Sequence, residues 1–151
     1  MESGYRTKWE NYDIQLRKRM PEFPFSNIWM AQQLHSMIPA GSIAHSAILS
    51  SLSSWDYFPL PKDVRSSANV GGFGIDGCTS TLIGASLSSH ELCFCITGDL
   101  AFFYDMNSLG CREIGPNLRI LLINNGLGMT FKLSNHVGSQ IGPSANIFIA
   151  A

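Results

Sequence analysis

The stretch LCFCITGDLA, residues 92–101, decides the fold. Its nearly unbroken apolar run is followed at once by Gly98 and Asp99, which predicts a buried strand that ends in a polar turn. A second stretch of the same kind, RILLINNGLG at residues 119–128, ends in an Asn-Asn-Gly turn. Continuous apolar runs of this kind are typical of parallel strands that are covered on both faces.

Working outward from these two stretches, strand and helix patterns alternate along the chain. Further strands are expected at residues 41–49 and 66–70, and helices at residues 26–38, 78–87 and 101–113. Ser26 is a suitable N-cap for the first of these helices, and Pro39 stops it. The alternation predicts an α/β fold with an open, mostly parallel sheet and helices on both faces. Ligands of such sheets bind beyond the carboxyl ends of the strands, so the residues of both polar turns are candidates for ligand binding.

Composition and charge narrow the class of function. The chain has 151 residues, a length typical of one domain, and a net charge of -1 with 14% charged residues. This balance argues against a nucleic-acid surface. The sequence has no apolar run approaching about 18 residues and no signal-peptide pattern at its start. We therefore expect a cytoplasmic protein that contacts neither nucleic acid nor membrane.

The first 22 residues differ from the rest, because they hold nine of the 21 charged residues. A solvated helix or a linker ending near Pro21 and Pro24 explains this concentration of charge. We expect residues 1–22 to be a linker or helical extension from a preceding domain. Residues 23–151 would form one domain, and their final apolar stretch is typical of a domain that is truncated at its C-terminus.

The sequence has no Cys-x-x-Cys pair and no histidine at metal-ligand spacing from a cysteine. The cysteines and histidines therefore form no metal or redox motif. We expect reduced and mostly buried thiols at Cys78, Cys93, Cys95 and Cys111. Structural or solvated roles are expected for His35, His45, His90 and His136. The last of these follows a stretch that could line a pocket and is the histidine to watch.

The segment GGFGIDG, residues 71–77, satisfies the G-x-G-x-x-G pattern of dinucleotide-binding domains. Asp99, at the end of the next strand, imitates the acidic residue that binds a ribose hydroxyl in such domains. An NAD(P)- or FAD-binding Rossmann domain is therefore one alternative, although the strand before the glycines is short and polar. A second alternative is a simple glycine turn in which Asp76 caps the next helix.

The two polar turns that follow the apolar strands suggest a different site. The Asp99 carboxylate and the Asn125 amide would be hard oxygen ligands suited to Mg²⁺ or Ca²⁺. A helix that begins near Ala101 would direct free N–H groups at a diphosphate. Taken alone, Asp99 could be a helix cap and the Asn-Asn-Gly stretch a turn. Taken together, they predict a metal and diphosphate site.

Gly98-Asp99, with an Asn-Asn pair closing the next strand, resembles the thiamine-diphosphate motif. The resemblance implies Mg²⁺ held by Asp99, Asn125 and the backbone carbonyl of Leu127, and a bound thiamine diphosphate. It implies that the cofactor-binding residues are Gly74, Ile75, Asp76, Gly77, Gly98, Asp99, Leu100, Ala101 and Asn125. The GGFGIDG segment would then be a loop near this cofactor, with no nicotinamide implied.

Residues 26–131 resemble one branch of these enzymes, the menaquinone-pathway 2-succinyl-5-enolpyruvyl-6-hydroxy-3-cyclohexene-1-carboxylate synthases. The segments that carry the resemblance are SANVGGFGIDGCTSTLIGAS and GDLAFFYDMNSL. The resemblance implies the diphosphate-binding domain of a transferase or lyase that decarboxylates a 2-keto acid and passes on the carbanion.

Two family segments that carry substrate-binding arginines are altered, which places Trp55 and Val70 where arginines are expected. Neither side chain can replace the bidentate guanidinium. Ser51 matches a family serine, and Thr130-Phe131 matches an Ile-Phe pair that lines the pocket. These three residues are weak candidates for substrate contacts.

The resemblance further implies that a glutamate activates the cofactor from a pyrimidine-binding domain, usually of another subunit, in a homo-oligomer. Glu2, Glu10, Glu22 and Glu113 lie in no matching context. We therefore expect the isolated chain to be inactive and to hold half of a site for a 2-keto acid. The remaining alternative is a non-catalytic module that keeps the fold for assembly or regulation.

Overall fold

The chain folds around one four-stranded, all-parallel sheet in a computed structural model that describes residues 3–133 and 142–151. The strand order is β2-β1-β3-β4. The strands are β1 (Ile43–Ser46), β2 (Arg65–Ala68), β3 (Cys93–Gly98) and β4 (Leu118–Ile123). This arrangement confirms the predicted α/β class with a parallel sheet.

The helices are α1 (Ser3–Lys18), α2 (Asn27–Leu34), α3 (Ser50–Trp55), α4 (Cys78–Leu87), α5 (Asp99–Asp105), α6 (Thr130–Leu133) and α7 (Ala145–Ile149). Short 3₁₀ turns follow α2 at His35–Met37 and α5 at Met106–Gly110, and a third precedes α7 at Gly142–Ser144. Ser26 caps α2 as predicted, because its hydroxyl accepts a hydrogen bond of 3.2 Å from the Trp29 N–H.

Alternating side chains of the central strands divide the core into two layers. On one face of β3, Cys93 and Cys95 pack with Leu82 of α4. On the other face, Ile96 packs with a cluster that includes Ala31 of α2 and Trp55 of α3. Helices therefore cover both faces of the sheet, as the sequence predicts.

Helix α1 is solvent-exposed from Gly4 to Leu16, whereas Arg17 near its end is half-buried. Ion pairs between residues four apart join Arg6 to Glu10 and Asp13 to Arg17 on its surface. Its C-terminal end is attached to the rest of the chain, since the Arg17 guanidinium donates a hydrogen bond to the Tyr57 carbonyl. Its role as a linker from a preceding domain stays a prediction.

Two elements differ from the sequence expectations in three respects. The first strand ends at Ser46 instead of residue 49, and the backbone then turns sharply at Leu49, whose φ is +66°. Helix α5 ends at Asp105 instead of residue 113. The apolar sequence of α5 predicts a buried helix, but Phe103 and Tyr104 are exposed, with 52% and 66% of their surfaces accessible to solvent.

Burial of the thiols follows the prediction for Cys78, Cys93 and Cys95, whereas Cys111 is half-buried. Residues 3–133 and 142–151 contain no helix that is both long and apolar enough to cross a bilayer. His136 lies outside the described residues.

Candidate metal and diphosphate site

Strands β3 and β4 end side by side at the carboxyl edge of the sheet. They are paired in parallel with Gly98 opposite Ile123, so the turns that follow them begin at the same level. The sequence expectation that the two polar turns meet at one edge is therefore confirmed.

The Asp99 side chain joins the two turns. It is 2% exposed, and its Oδ2 accepts hydrogen bonds from the backbone N–H groups of Asn125 (2.8 Å) and Gly126 (2.5 Å). Its Oδ1 accepts a third, of 2.7 Å, from the N–H of Leu100. Three backbone donors hold the carboxylate in one orientation, and an ionised carboxylate has about four acceptor positions, so one stays open to a ligand.

The turn after β4 is fixed by its own side chain and by the last residues of the chain. The Leu127 N–H donates to the Asn125 amide oxygen (3.1 Å), and Gly126 has a φ of +75°, which glycine adopts without strain. The Gly128 N–H donates to the Ile149 carbonyl (2.7 Å). A Cβ at Gly128 would lie 2.7 Å from Cδ2 of Leu100, so a larger residue here would require the Leu100 side chain to shift.

The donor set fits a hard divalent cation such as Mg²⁺. A carboxylate, an amide oxygen and a backbone carbonyl are available from Asp99, Asn125 and Leu127, which all line one cleft. No three His, Cys, Asp or Glu side chains converge on a metal site in the described part of the chain. A cation here would therefore have one carboxylate and would complete its shell with phosphate and water oxygens.

The cleft has a volume of about 90 Å³ and is lined by other predicted cofactor residues, among them Ile75, Gly98, Leu100 and Ala101. Gly74, Asp76 and Gly77 do not line it, so only Ile75 of that loop faces the candidate site. The loop is held by Asn69, which donates to the Gly74 carbonyl (2.7 Å) and accepts from the Ile48 N–H (3.2 Å).

The proposed helix cap at Asp76 is wrong. The N-cap position of α4 is Gly77, and the N–H of Ser80 in its first turn donates to the Asp105 carboxylate at 2.6 Å. A residue from the end of α5 therefore caps α4, a contact that no local pattern of sequence reveals.

The strand order contradicts the dinucleotide alternative. The glycine turn follows β2, an exposed edge strand, and Asp99 follows β3, from which β2 is separated by β1. In a dinucleotide fingerprint the glycine turn follows a buried strand, and the acidic residue is within reach of the same nucleotide. The Asp99 carboxylate instead accepts the N–H groups of the turn after β4.

The substrate candidates Ser51, Thr130 and Phe131 all line the cleft. The hydroxyls of Thr130 and Ser50 form a hydrogen bond of 2.9 Å that joins α6 to α3. Trp55, which stands where the family has an arginine, lies in the hydrophobic core, and its ring does not line the cleft. Val70 is exposed in the turn after β2 and does not face the cleft either.

A larger cavity of about 900 Å³ adjoins the cleft. Residues that line both include Asn27, Leu49, Ser50, Asn125, Met129 and Thr130. Sequence reasoning missed Asn27, Leu49 and Ser50. The serine-rich run SSLSS that follows a strand end was a usable signal for Ser50, whereas the positive φ of Leu49 has no sequence signal, because leucine rarely adopts it.

Burial shifts the pKa values of several titratable side chains near the sheet. Burial raises the pKa of the Cys95 thiol to about 12, and it also raises the pKa of the Cys78 thiol. These thiols are therefore poor nucleophiles at neutral pH. Burial lowers the pKa of His45, whose Nδ1 lies 2.9 Å from the Ser67 hydroxyl. None of these three side chains lines the cleft.

Comparison with known proteins identifies the relatives of this chain. No family profile matches it. It is 41% identical over 127 residues to a 2-succinyl-5-enolpyruvyl-6-hydroxy-3-cyclohexene-1-carboxylate synthase of Bacteroides fragilis, which covers 84% of the chain and 22% of the relative. A synthase of the same name from Christiangramia forsetii is 40% identical over 76% of the chain and 20% of the relative.

The synthase of Desulfotalea psychrophila is 33% identical over 99% of the chain and 26% of the relative. The chain thus spans about a quarter or less of the length of these relatives. The similarity extends over nearly the whole sequence and agrees with the α/β fold and with the branch that the motifs resemble. The chain belongs to the family of the 2-succinyl-5-enolpyruvyl-6-hydroxy-3-cyclohexene-1-carboxylate synthases.

Proposed function

We propose that this chain is the diphosphate-binding domain of a thiamine-diphosphate-dependent enzyme and that it binds the cofactor through Mg²⁺. The single observation that carries the proposal is the Asp99 carboxylate, which accepts the N–H groups of Asn125 and Gly126 across two strand ends. This contact places one carboxylate, one amide oxygen and one carbonyl on the same cleft. Membership of the synthase family supports it.

In this proposal Asp99, Asn125 and the Leu127 carbonyl hold the cation, which in turn binds the diphosphate. The three N–H groups that fix Asp99 keep it oriented before the ligand arrives, so binding requires little rearrangement. Ile75 and Ala101 supply apolar walls of the cleft. When bound, thiamine diphosphate supplies the electron sink for decarboxylation of a 2-keto acid.

The complete enzyme requires a second domain. A pyrimidine-binding domain, contributed by another subunit of a cytoplasmic homo-oligomer, would provide the activating glutamate and enclose the 2-keto acid. Glu91 cannot take this role, because it lies before β3, at the opposite edge of the sheet, and forms an ion pair with Arg65. The isolated chain would then bind cofactor but catalyse no decarboxylation, and the enzyme would transfer or release the product.

Isothermal titration calorimetry with thiamine diphosphate tests this proposal, in Mg²⁺ and in EDTA. Binding is expected with Mg²⁺ and is expected to weaken at least about 100-fold in Asp99→Asn, because the anionic ligand is lost. Asp63→Asn removes the same charge at an exposed position and should bind like the unsubstituted chain. Thermal denaturation shows whether each variant is folded.

Two results would contradict the proposal. One is an affinity that EDTA leaves unchanged, and the other is a folded Asp99→Asn variant that binds normally. If the folded chain gives no heat with Mg²⁺ present, the non-catalytic module becomes the better explanation.

A further inference from the structure

We propose that Asp105 is a positioning residue that holds the glycine loop, residues 71–77, against the candidate cofactor site. Its role in cofactor binding rests on the proposed function. Asp105 is the last residue of α5, and Asp99 is the first. The helix therefore carries a carboxylate at each end, and each carboxylate accepts backbone N–H groups of a different segment of the chain.

The start of α4 needs a cap from outside the loop. Gly77 is the N-cap residue and has a φ of +85°, a conformation that favours glycine. Because glycine has no side-chain oxygen, the N-cap cannot satisfy the free N–H groups of the first turn. The Asp105 carboxylate accepts one of them, the N–H of Ser80, at 2.6 Å. Its negative charge also suits the positive end of the helix dipole.

Cys78 connects the first turn of α4 to the loop. It is fully buried, and its thiol donates to the Ile75 carbonyl at 3.3 Å. Cys78 packs with Ala101 of α5, and the Ile75 side chain packs against both. Ile75 is also the residue of the loop that lines the cleft. The place of Ile75 in the cleft therefore depends on where α4 begins, which the hydrogen bond between Asp105 and Ser80 fixes.

The other carboxylate of α5 holds the opposite wall of the site. Asp99 accepts the N–H groups of Asn125 and Gly126, which belong to the turn after β4. Since α5 has seven residues, it is about 10 Å long. The helix thus sets the spacing between the turn that would bind the cation and the loop that would contact the rest of the cofactor. Loss of Asp105 should release the loop and leave the proposed metal ligands in place.

Hydrogen exchange in the unliganded chain, followed by NMR, tests whether Asp105 holds the loop. In Asp105→Ala the Ser80 amide should exchange about tenfold faster, because its acceptor is lost, and the methyl signals of Ile75 should shift. Exchange of the Asn125 and Gly126 amides should stay the same, since their acceptor is untouched.

Two further variants separate capping from a general effect of charge. Asp105→Asn should behave like the unsubstituted chain, because an amide oxygen caps a helix about as well as a carboxylate. Asp63→Ala is the matched control, since it removes a carboxylate at an exposed position outside the site. Thermal denaturation shows whether each variant is folded. If Asp105→Ala does not fold, Asp105→Glu places the carboxylate on a longer stem and should shift the same Ser80 and Ile75 signals.

Calorimetry with two ligands in Mg²⁺, thiamine diphosphate and inorganic pyrophosphate, tests the role in binding. Asp105→Ala should bind thiamine diphosphate about tenfold more weakly than the unsubstituted chain does. Its affinity for pyrophosphate should change by less than about twofold, because this ligand lacks the organic part that Ile75 would contact. A general loss of structure would instead weaken the binding of both ligands alike.

Three results would overturn the inference. The first is a folded Asp105→Ala variant in which Ser80 exchange and the Ile75 signals are unchanged. The second is an equal loss of affinity for the two ligands, and the third is an Asp105→Asn variant that behaves like Asp105→Ala. If the unsubstituted chain does not bind thiamine diphosphate, the proposed function fails, while the exchange data still decide whether Asp105 holds the loop.

Discussion

Asn117 directly precedes strand β4, and Asn125 is the second residue after the strand ends, and the two asparagines are used differently. At the amino end, the Asn117 amide nitrogen donates to the carbonyls of Ser86 (3.1 Å), Ser89 (2.9 Å) and Glu91 (3.2 Å). At the carboxyl end, Asn125 is exposed, and its amide oxygen accepts one hydrogen bond, from the Leu127 N–H.

The difference separates a structural residue from a candidate ligand. The two N–H groups of the Asn117 amide are shared among three carbonyls at the end of α4 and in the turn before β3, so they hold the chain to itself. Asn125 keeps acceptor capacity on its oxygen, beside a buried carboxylate. An asparagine at a strand end is therefore informative only when its partners are known.

The largest effect expected from this comparison is on ligand affinity. Asn125→Ala removes one of three proposed Mg²⁺ ligands, so the affinity for thiamine diphosphate in Mg²⁺ should fall about 30-fold, which is about 2 kcal/mol. The free energy of unfolding should change by less than about 0.5 kcal/mol, since the side chain is exposed. Calorimetry and urea denaturation measure the two quantities. A large loss of stability with unchanged affinity would assign Asn125 a structural role.

Asn117→Ala should show the opposite pattern. Loss of the two N–H donors that these carbonyls share should lower the free energy of unfolding by about 1.5 kcal/mol. Urea denaturation monitored by tryptophan fluorescence measures this loss. Cofactor affinity in the folded fraction should stay within about twofold, because the site lies at the other end of the strand. If the affinity for the cofactor falls together with the stability, the amino and carboxyl ends of β4 are not independent.

The smallest expected effect is on the pH dependence of stability, and it comes from His45 in strand β1. Burial holds its pKa below the ordinary 6.5 in the folded chain, and its Nε2 has no partner among the described residues. On acidification the unfolded chain therefore binds a proton first. Stability is complete above about pH 7 and falls as the pH drops through 6.5 toward the lower folded-state pKa, by at most about 1.4 kcal/mol per pH unit.

Urea denaturation at several pH values measures this slope for the unsubstituted chain and for His45→Gln, in which it should flatten. His90→Gln is the control, because His90 is exposed and its replacement should leave the pH dependence unchanged. An identical slope in all three proteins would show that His45 does not govern stability in this range.

Sequence reasoning succeeded where the physics is local or periodic. The apolar runs at residues 92–97 and 119–124 predicted β3 and β4 to within one residue of their observed limits, and the rule of parallel strand ends predicted that Asp99 lies next to Asn125. The cap at Ser26 was also predictable, because a cap depends on residues three apart.

The errors arose where contacts join distant parts of the chain. The sequence match placed Trp55 where the family has an arginine, but it could not show that the ring is buried against Ile96 and Ala31. Asp105 caps α4 from 25 residues away, which no local pattern encodes. The exposure of Phe103 and Tyr104 could not be read from composition, because an apolar helix does not reveal which element covers it.

The final residues of the chain offer a way to observe the site. Ala151 donates its N–H to the Gly126 carbonyl at 3.1 Å, and Leu127 forms a bridge with Ala150. A fluorophore or spin label attached at residue 151 would therefore sit beside the turn that presents Asn125. Its signal would report occupancy of the turn directly, without a labelled ligand or a catalytic assay.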